Sequence, residues 1–216
     1  KSKEYHAQSQ MKFRMPWDTT PKPHDRPWYS FDFGPVHFLM MSTEHPLNGT
    51  QGAFIEEDLA AVDRGTTPWV IAVGHRPMYI DSGYNPDDRS HDSDYGFASY
   101  YQSSLEAVFL KHGVDAVLGA HHHTYQRSCK LKAGACDAEG FHVINLGMGG
   151  ASNSKLSKSP APIWDFLDGT HHGYVRMTAS RERLAMEYIR GSEPDKVTDK
   201  LELTREAAMM LAMQWV

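Results

Sequence analysis

Residues 69–79 read WVIAVGHRPMY, and this stretch decides the fold class. Its first five residues are apolar, which is typical of a strand that is buried on both faces. Residues 36–41, VHFLMM, and residues 114–118, VDAVL, form two further apolar runs of similar length. The three runs therefore predict three buried strands, spread over the first half of the chain.

Helical patterns separate these predicted strands. Four apolar residues lie on one helical face between the first and second strands, namely Phe54, Ile55, Leu59 and Val62. A second helical face, marked by Leu105, Val108 and Phe109, precedes the third strand and ends at Gly113, a residue favoured after helix C-termini. Strands that alternate with helices in this way predict an α/β fold with a parallel sheet.

The second half of the chain is rich in strand patterns without intervening helices. Residues 141–146, FHVINL, predict one strand. Residues 174–177 and 184–189 predict a hairpin about the polar stretch 180–183. We therefore expect an α/β body finished by antiparallel strands that form a second packed layer.

The composition excludes several classes of protein. The chain has 216 residues, of which 40% are apolar and 23% charged, enough for one globular domain with a sizeable core. Its net charge of -5 argues against nucleic-acid binding, which needs a basic surface. No apolar stretch approaches the roughly 20 residues of a membrane-spanning helix. The 13 histidines are the compositional outlier and direct attention to metal binding.

Histidines follow two of the predicted strands directly. His75 comes after the strand at residues 69–73, and His121, His122 and His123 come after the strand at residues 114–118. In α/β sheets ligands bind beyond the carboxyl ends of the strands, so both segments are expected at one crevice. In an extended backbone His121 and His123 would project on one side and His122 on the other. The alternatives are a polar loop and an adventitious metal site.

Two cysteines and a sequon point to an oxidising compartment. Cys129 and Cys136 lie close together in a stretch that resembles a tight loop, and we expect them to form a local disulfide. Asn48 begins the sequence NGT at residues 48–50, an acceptor for N-glycosylation. Together they favour a secreted or extracytoplasmic protein, with the vacuole or lysosome as alternative locations.

Four segments resemble motifs of the purple acid phosphatases, a family of calcineurin-like metallophosphoesterases. Residues 74–79, GHRPMY, are similar to a stretch of the same letters in that family. Residues 120–127, AHHHTYQR, resemble its GHxHxYER block, with Ala in place of Gly and Gln in place of Glu. Residues 28–34, WYSFDFG, and residues 173–176, GYVR, resemble two of its other segments. The likeness covers nearly the whole chain.

The resemblance implies a fold and a division of the chain. The fold is α/β, a metallophosphoesterase-type β-sandwich flanked by helices, with the N-terminal half of the domain outside this chain. Residues 1–135 would be the C-terminal part of the metallophosphoesterase domain. Residues 136–195 would be the strand-rich C-terminal segment of purple acid phosphatases, and residues 196–216 a tail.

The resemblance also implies a set of metal ligands. His75 and His121 would bind a divalent ion, and His123 would bind a ferric ion. The family's carboxylate, tyrosine and asparagine ligands lie in strings of the form GDxG, GDxxY and GNHE, none of which occurs in this sequence. His91 lies between the two histidine motifs and is the candidate for a catalytic residue that meets the substrate or protonates the leaving group. The alternative for His91 is a solvated surface residue.

The implied activity is that of an acid phosphatase which hydrolyses phosphomonoesters of small phosphorylated substrates. Its binuclear centre would hold Fe³⁺ together with Zn²⁺, Mn²⁺ or Fe²⁺, and this chain would be a fragment of the enzyme. Two alternatives stay open. One is a catalytically inactive remnant that binds metal weakly, and the other is a metallophosphoesterase that acts on diesters or pyrophosphates.

Overall fold

The computed structural model describes residues 12–14, 27–83 and 93–205. Within these residues the helices are α1 (Gly49–Ala60) and α2 (Ser93–Lys111). The strands are β1 (Lys12–Arg14), β2 (Tyr29–Phe33), β3 (Val36–Met40), β4 (Trp69–Val73), β5 (Ser82–Gly83), β6 (Ala116–Gly119), β7 (Tyr125–Lys132), β8 (Ala135–Cys136), β9 (Phe141–Leu146), β10 (Lys155–Leu156), β11 (Trp164–Asp168), β12 (Gly173–Ala179), β13 (Arg183–Arg190) and β14 (Val197–Thr204). In the described part of the chain, neither helix combines the length and apolar character needed to cross a membrane.

A nine-stranded sheet forms the centre of the molecule. Its order is β1-β2-β3-β4-β6-β9-β7-β11, and β8 pairs with β7. The four central strands, β3, β4, β6 and β9, are parallel. On one side β2 pairs antiparallel with β3, and on the other β7 pairs antiparallel with β9 and β11 antiparallel with β7. The predicted α/β fold with a parallel sheet is therefore confirmed, with antiparallel strands at both edges.

The strand β4 shows why both faces of this sheet are covered. Its side chains alternate, so that Val70 and Ala72 join one hydrophobic core while Trp69 and Ile71 join another. The first core contains buried residues of both helices, for example Leu59 and Phe109. Burial on both faces explains why this segment is apolar at every position.

The second core lies against the antiparallel sheet β12-β13-β14. Tyr125 of β7 stacks on Tyr188 of β13 with their ring centroids 4.1 Å apart. The predicted hairpin at residues 174–189 is confirmed as the pair β12–β13. The segment 196–216, which we expected to be a tail, begins instead as strand β14, because Leu201 is buried in this core. The remainder of that segment lies outside the described residues.

The predicted disulfide and the predicted glycosylation site lie in different parts of the molecule. Cys129 of β7 and Cys136 of β8 are joined by a disulfide with their Cα atoms 5.7 Å apart. Asn48 is exposed immediately before α1, and its side chain makes no capping hydrogen bond to the helix. Its amide is therefore accessible from solvent, as a glycosylation acceptor must be.

Candidate metal centre

The carboxyl ends of the four parallel strands meet at one edge of the central sheet, which we call the rim. The rim consists of the loops at residues 41–44, 74–76, 120–123 and 147–154, which follow β3, β4, β6 and β9. Hydrogen bonds continue from strand to strand into these loops, since Gly74 N donates to the Leu118 carbonyl and Ala120 N to the His75 carbonyl. The two histidine segments are thus fixed beside each other.

His75 and His121 are in direct contact at the rim. The His75 Nε2 atom lies 2.9 Å from the His121 Nδ1 atom, and the rings meet at an angle of 80°. Burial of the ring and the neighbouring His121 both lower the pKa of His75, so its imidazole is neutral at neutral pH. A neutral imidazole is the form that binds a metal ion. Two ring nitrogens that converge in this way fit two ligands of one ion.

His123 lies at the side of the rim next to the loop 147–154. Its Nδ1 atom is 2.7 Å from the Ser152 carbonyl oxygen, and its backbone N–H donates to the Ser154 hydroxyl over 3.0 Å. Since a carbonyl can only accept, Nδ1 must carry the proton, and the lone pair of a neutral ring is then on Nε2. A backbone carbonyl on the second nitrogen is a common partner of metal-binding histidines. His123 is therefore prepared to bind a metal ion through Nε2.

The arrangement expected within the triple-histidine run is wrong in one respect. His121 has φ of 53°, a left-handed conformation, so the run is not extended. His122 is buried, with Nδ1 2.9 Å from the Ser82 hydroxyl and Nε2 3.1 Å from the Asp94 carboxylate. His121 Nε2 lies 3.4 Å from the same carboxylate. His122 is thus not directed away from its neighbour, because both rings approach Asp94.

Asp94 links the two histidine segments. Its Oδ1 atom accepts a hydrogen bond of 2.8 Å from Arg76, and its Oδ2 atom faces His121 and His122. Burial alone would raise the pKa of the Asp94 carboxyl, but the hydrogen bond with His122 and the nearby positive charges outweigh burial and lower it. The ligand atoms of Asp94, His121 and His122 all lie within 4.8 Å of one another.

Gln126 is connected to this cluster through Ser82, whose hydroxyl contacts His122. Its side chain is completely buried and donates to the Ser82 hydroxyl over 2.6 Å and to the Thr124 hydroxyl over 2.7 Å. Its amide oxygen accepts from the Asp81 backbone N–H. Residues 81–82 and 124–126 are thus tied together next to the histidines by an uncharged group, which needs no counter-ion when buried.

Gly147 lets the chain pass close behind the triple-histidine run. A Cβ atom at this position would collide with the His122 carbonyl. The Gly147 N–H donates to the Thr124 carbonyl over 3.1 Å, which holds the loop after β9 against the run. The backbone of the histidine run is therefore held in place by the loop after β9.

Two of the three predicted ligands are brought into contact, and one functional candidate was missed. His75 and His121 contact each other, His123 contacts the neighbouring loop, and the predicted catalytic residue His91 lies outside the described residues. Sequence reasoning did not identify Asp94. The available signal was only an acidic residue in the first turn of a helix, which is common in any protein.

Models of two protein families match this chain. A model described as calcineurin-like phosphoesterase matches residues 15–125, just over half of the chain. A model described as iron/zinc purple acid phosphatase-like protein C matches residues 141–200. The two matches divide the chain between the histidine-bearing part and the strand-rich part.

Individual proteins agree with these models. A protein of Arabidopsis thaliana named "Probable inactive purple acid phosphatase 9" is 31% identical and aligns with 89% of this chain and 32% of its own length. The "Nucleotide pyrophosphatase/phosphodiesterase" of Hordeum vulgare is 29% identical over 83% of this chain and 50% of its own length. The solved structure of the purple acid phosphatase PPD1 from yellow lupin superimposes with a TM-score of 0.78, at 26% identity, over 90% of this chain and 35% of that one.

The chain thus spans about a third of the length of the first of these relatives. The histidines at the rim occupy the place where the structure puts the carboxyl ends of the parallel strands, and the family models cover both layers of the fold. This chain belongs to the purple acid phosphatase family of binuclear-metal, calcineurin-like phosphoesterases.

Proposed function

We propose that this chain supplies three metal ligands to a phosphatase that hydrolyses phosphomonoesters. The observation that carries the proposal is the convergence of His75 Nε2 and His121 Nδ1, 2.9 Å apart, at the rim of the parallel sheet. His123, whose Nδ1 is held by the Ser152 carbonyl, is the third ligand. The Cys129–Cys136 disulfide supports a secreted or extracytoplasmic location, because such bonds persist in oxidising compartments.

The residue roles follow from the chemistry of the donors. His75 and His121 bind a divalent ion, Zn²⁺, Mn²⁺ or Fe²⁺, and His123 binds Fe³⁺, all of which accept imidazole ligands. A pair of bound metal ions supplies the Lewis acidity and the activated water that phosphoester hydrolysis requires. The chain's own contribution is to hold three imidazoles in place before the ions arrive. The exposed position of His75 leaves the rim open to a small phosphorylated substrate.

Further ligands must come from residues outside this sequence. The strings GDxG, GDxxY and GNHE, which carry the carboxylate, tyrosine and asparagine ligands implied by the family resemblance, do not occur in it. Loss of ligands lowers metal affinity steeply, because each bond and its supporting contacts contribute. We therefore assign hydrolysis to a longer protein, since this chain covers only 32% and 50% of the lengths of the two relatives described above.

Two other activities are favoured by particular relatives. Four relatives of 29–32% identity bear names that begin "Probable inactive purple acid phosphatase", which supports a metal-binding protein without turnover. The Hordeum vulgare relative is named for nucleotide pyrophosphatase and phosphodiesterase activity, which supports diesters or pyrophosphates as substrates. Both are outcomes of the experiment that follows.

The experiment measures metal content and turnover on the same purified samples of this chain and of a version extended upstream. Plasma mass spectrometry gives the metals per chain, and p-nitrophenyl phosphate at acidic pH gives phosphomonoesterase activity. Bis(p-nitrophenyl) phosphate and a nucleotide pyrophosphate test the alternative substrates. The variants are His75→Ala and His123→Ala, with His112→Ala as control, since His112 pairs with Glu56 after helix α2 and before β6, at the edge opposite the rim.

We expect about two metals and monoester turnover in the extended protein, both lost in the two rim variants and kept in His112→Ala. Metal binding without turnover on any substrate would support the inactive alternative. Turnover that is faster on the diester or pyrophosphate would change the substrate class. An extended protein that binds no metal would contradict the proposal.

A further inference from the structure

We propose that Asp94 is a positioning residue of the metal centre, whose carboxylate holds the His121 ring with its Nδ1 lone pair towards His75. The inference rests on the proposed function, because it takes His75 and His121 as ligands of one metal ion. It adds a carboxylate from the start of helix α2 to a site otherwise built from the loops after β4 and β6.

The two nitrogens of His121 face different partners. Nδ1 lies 2.9 Å from His75 Nε2, and Nε2 lies 3.4 Å from Asp94 Oδ2. A neutral imidazole carries one proton, and an ionised carboxylate can only accept. The proton is therefore favoured on Nε2, beside Asp94, which leaves the lone pair on Nδ1. This is the tautomer in which His121 and His75 can bind the same ion.

The carboxylate is better suited to orient His121 than to bind the metal itself. Its Oδ1 atom already accepts from the Arg76 guanidinium over 2.8 Å, and its Oδ2 atom is also 3.1 Å from His122 Nε2. A metal ion at Oδ2 would stand close to the positive charge of Arg76, which opposes binding. A carboxylate that holds the far nitrogen of a metal-binding histidine is a recurrent arrangement and raises the basicity of the ligand.

Two side chains, Arg76 and His122, hold Asp94 in this position. Arg76, in the loop after β4, donates to Asp94 with one nitrogen and to Glu44 with another, and its guanidinium lies over the Phe97 ring at 5.4 Å. The buried His122 ring is anchored on its other side by Ser82. The ring of His121, by contrast, is partly exposed. It lies 5.6 Å from the buried His122 ring, and among the described residues its two nitrogens face His75 and Asp94. Asp94 therefore connects the His121 ring to Arg76 and to the buried His122, which limits how far the ring can move.

Glu44 provides a matched control. It also pairs with Arg76, at 3.0 Å, but among the described residues no hydrogen bond joins it to a histidine. Glu44→Gln removes one carboxylate charge from the same arginine and leaves the contact with His121 unchanged. A loss that arises only from the weakened charge network would appear in both variants.

The first test titrates the purified chain with Co²⁺ and follows affinity and the visible absorption of the bound ion. We expect Asp94→Ala to weaken Co²⁺ binding by about 10- to 100-fold, the range seen when such outer contacts are removed. Asp94→Asn should lose less, because its amide oxygen can still lie beside His121 Nε2. Glu44→Gln should stay within about twofold of the unchanged chain, as expected for an exposed ion pair.

The shape of the Co²⁺ spectrum separates a positioning role from a ligand role. We expect the same band shape in Asp94→Asn as in the unchanged chain, since the coordinated atoms do not change. A changed band shape would identify Asp94 as a ligand and overturn the inference. Equal affinity in all variants would also overturn it while leaving the proposed ligands intact. An unchanged chain that binds no Co²⁺ would contradict the ligand set and the inference together.

A second readout needs no metal. Nitrogen-15 NMR of the imidazole rings reports which nitrogen carries the proton. We expect His121 in the metal-free chain to be protonated at Nε2, with a shift towards mixed tautomers in Asp94→Ala but not in Glu44→Gln. A His121 ring protonated at Nδ1 in the unchanged chain would overturn the inference. Asp94→Asn keeps the test valid if Asp94→Ala does not fold.

Discussion

Two histidine clusters of this protein use the same residue types for different ends. In strand β3, His37 is buried between two carboxylates, with Nδ1 2.7 Å from Asp32 and Nε2 2.9 Å from Asp58. At the rim, His121 has a carboxylate at one nitrogen and another histidine, His75, at the other. His37 thus has a carboxylate at both ring nitrogens, whereas His121 has one carboxylate and can offer the lone pair of its other nitrogen to a metal ion.

The two clusters also shift the pKa of a histidine in opposite directions. Burial alone would lower the pKa of His37, but the hydrogen bonds and charges of Asp58 and Asp32 outweigh burial and raise it. At the rim, burial and His121 lower the pKa of His75. A ring that donates through both nitrogens is a cation that holds the core together and has no lone pair for a metal. A neutral ring with one free nitrogen is a ligand.

The largest effect should come from removing the buried ring. His37→Ala removes the histidine whose Nε2 atom lies 2.9 Å from the buried Asp58 carboxylate. Because removing one partner of a buried ion pair is costly, we expect the free energy of unfolding to fall by about 3–5 kcal/mol. Urea denaturation of both proteins at pH 6 measures it, and metal affinity should not change.

The control for this prediction is the pair of His112 and Glu56, whose carboxylate is far more exposed than that of Asp58. His112→Ala breaks a contact of 3.0 Å with a carboxylate that is 39% exposed, and we expect a loss of no more than about 1 kcal/mol. A loss in His37→Ala as small as in this control would mean that the His37 cluster is not a buried ion network.

The next effect concerns the rim. We expect His75→Ala to weaken binding of Zn²⁺ or Co²⁺ by at least about 100-fold, or about 2.7 kcal/mol, since removal of a ligand exceeds the 10- to 100-fold effect of an outer contact. His75 is exposed, so the free energy of unfolding without metal should change by less than about 0.5 kcal/mol. Titration calorimetry and urea denaturation measure the two quantities. The reverse pattern would mean that His75 is structural.

The smallest effect is the pH dependence of stability. Since the pKa of His37 is raised above its ordinary value of 6.5 in the folded state, its contribution is complete below pH 6.5. The contribution is lost as pH rises from 6.5 through the raised pKa, with a slope of at most about 1.4 kcal/mol per pH unit for one proton. The difference in unfolding free energy between the unchanged chain and His37→Ala, measured at several pH values, should shrink over this window. A constant difference would argue against a protonated His37.

Much of the fold could be predicted because the buried parallel strands consist mostly of apolar residues. The strands at residues 36–41, 69–73 and 141–146 all stand in the central sheet where the alternation with helices indicated. Strand β7 could not be predicted, because it buries polar residues. Ser128 is completely buried, and its hydroxyl accepts a hydrogen bond from Val143 N. The hydrophobic periodicity of the sequence does not predict such a hydrogen bond to a buried polar group.

The candidate site was predicted only in part. His75, His121 and His123 could be identified because they follow strands whose carboxyl ends meet at one edge. Asp94 could not be, because it reaches the site from the first turn of a helix distant in sequence. The orientation of His122 depended on the left-handed backbone of His121, which no residue type in the run demanded.

The most direct test of this account is a Zn²⁺ titration followed by nitrogen-15 NMR of the imidazole rings. We predict that the signals of His75, His121 and His123 change on binding, while those of His37 and His112 do not. Changes at His121 and His122, without changes at His75 and His123, would contradict the account and place the metal elsewhere in the cluster.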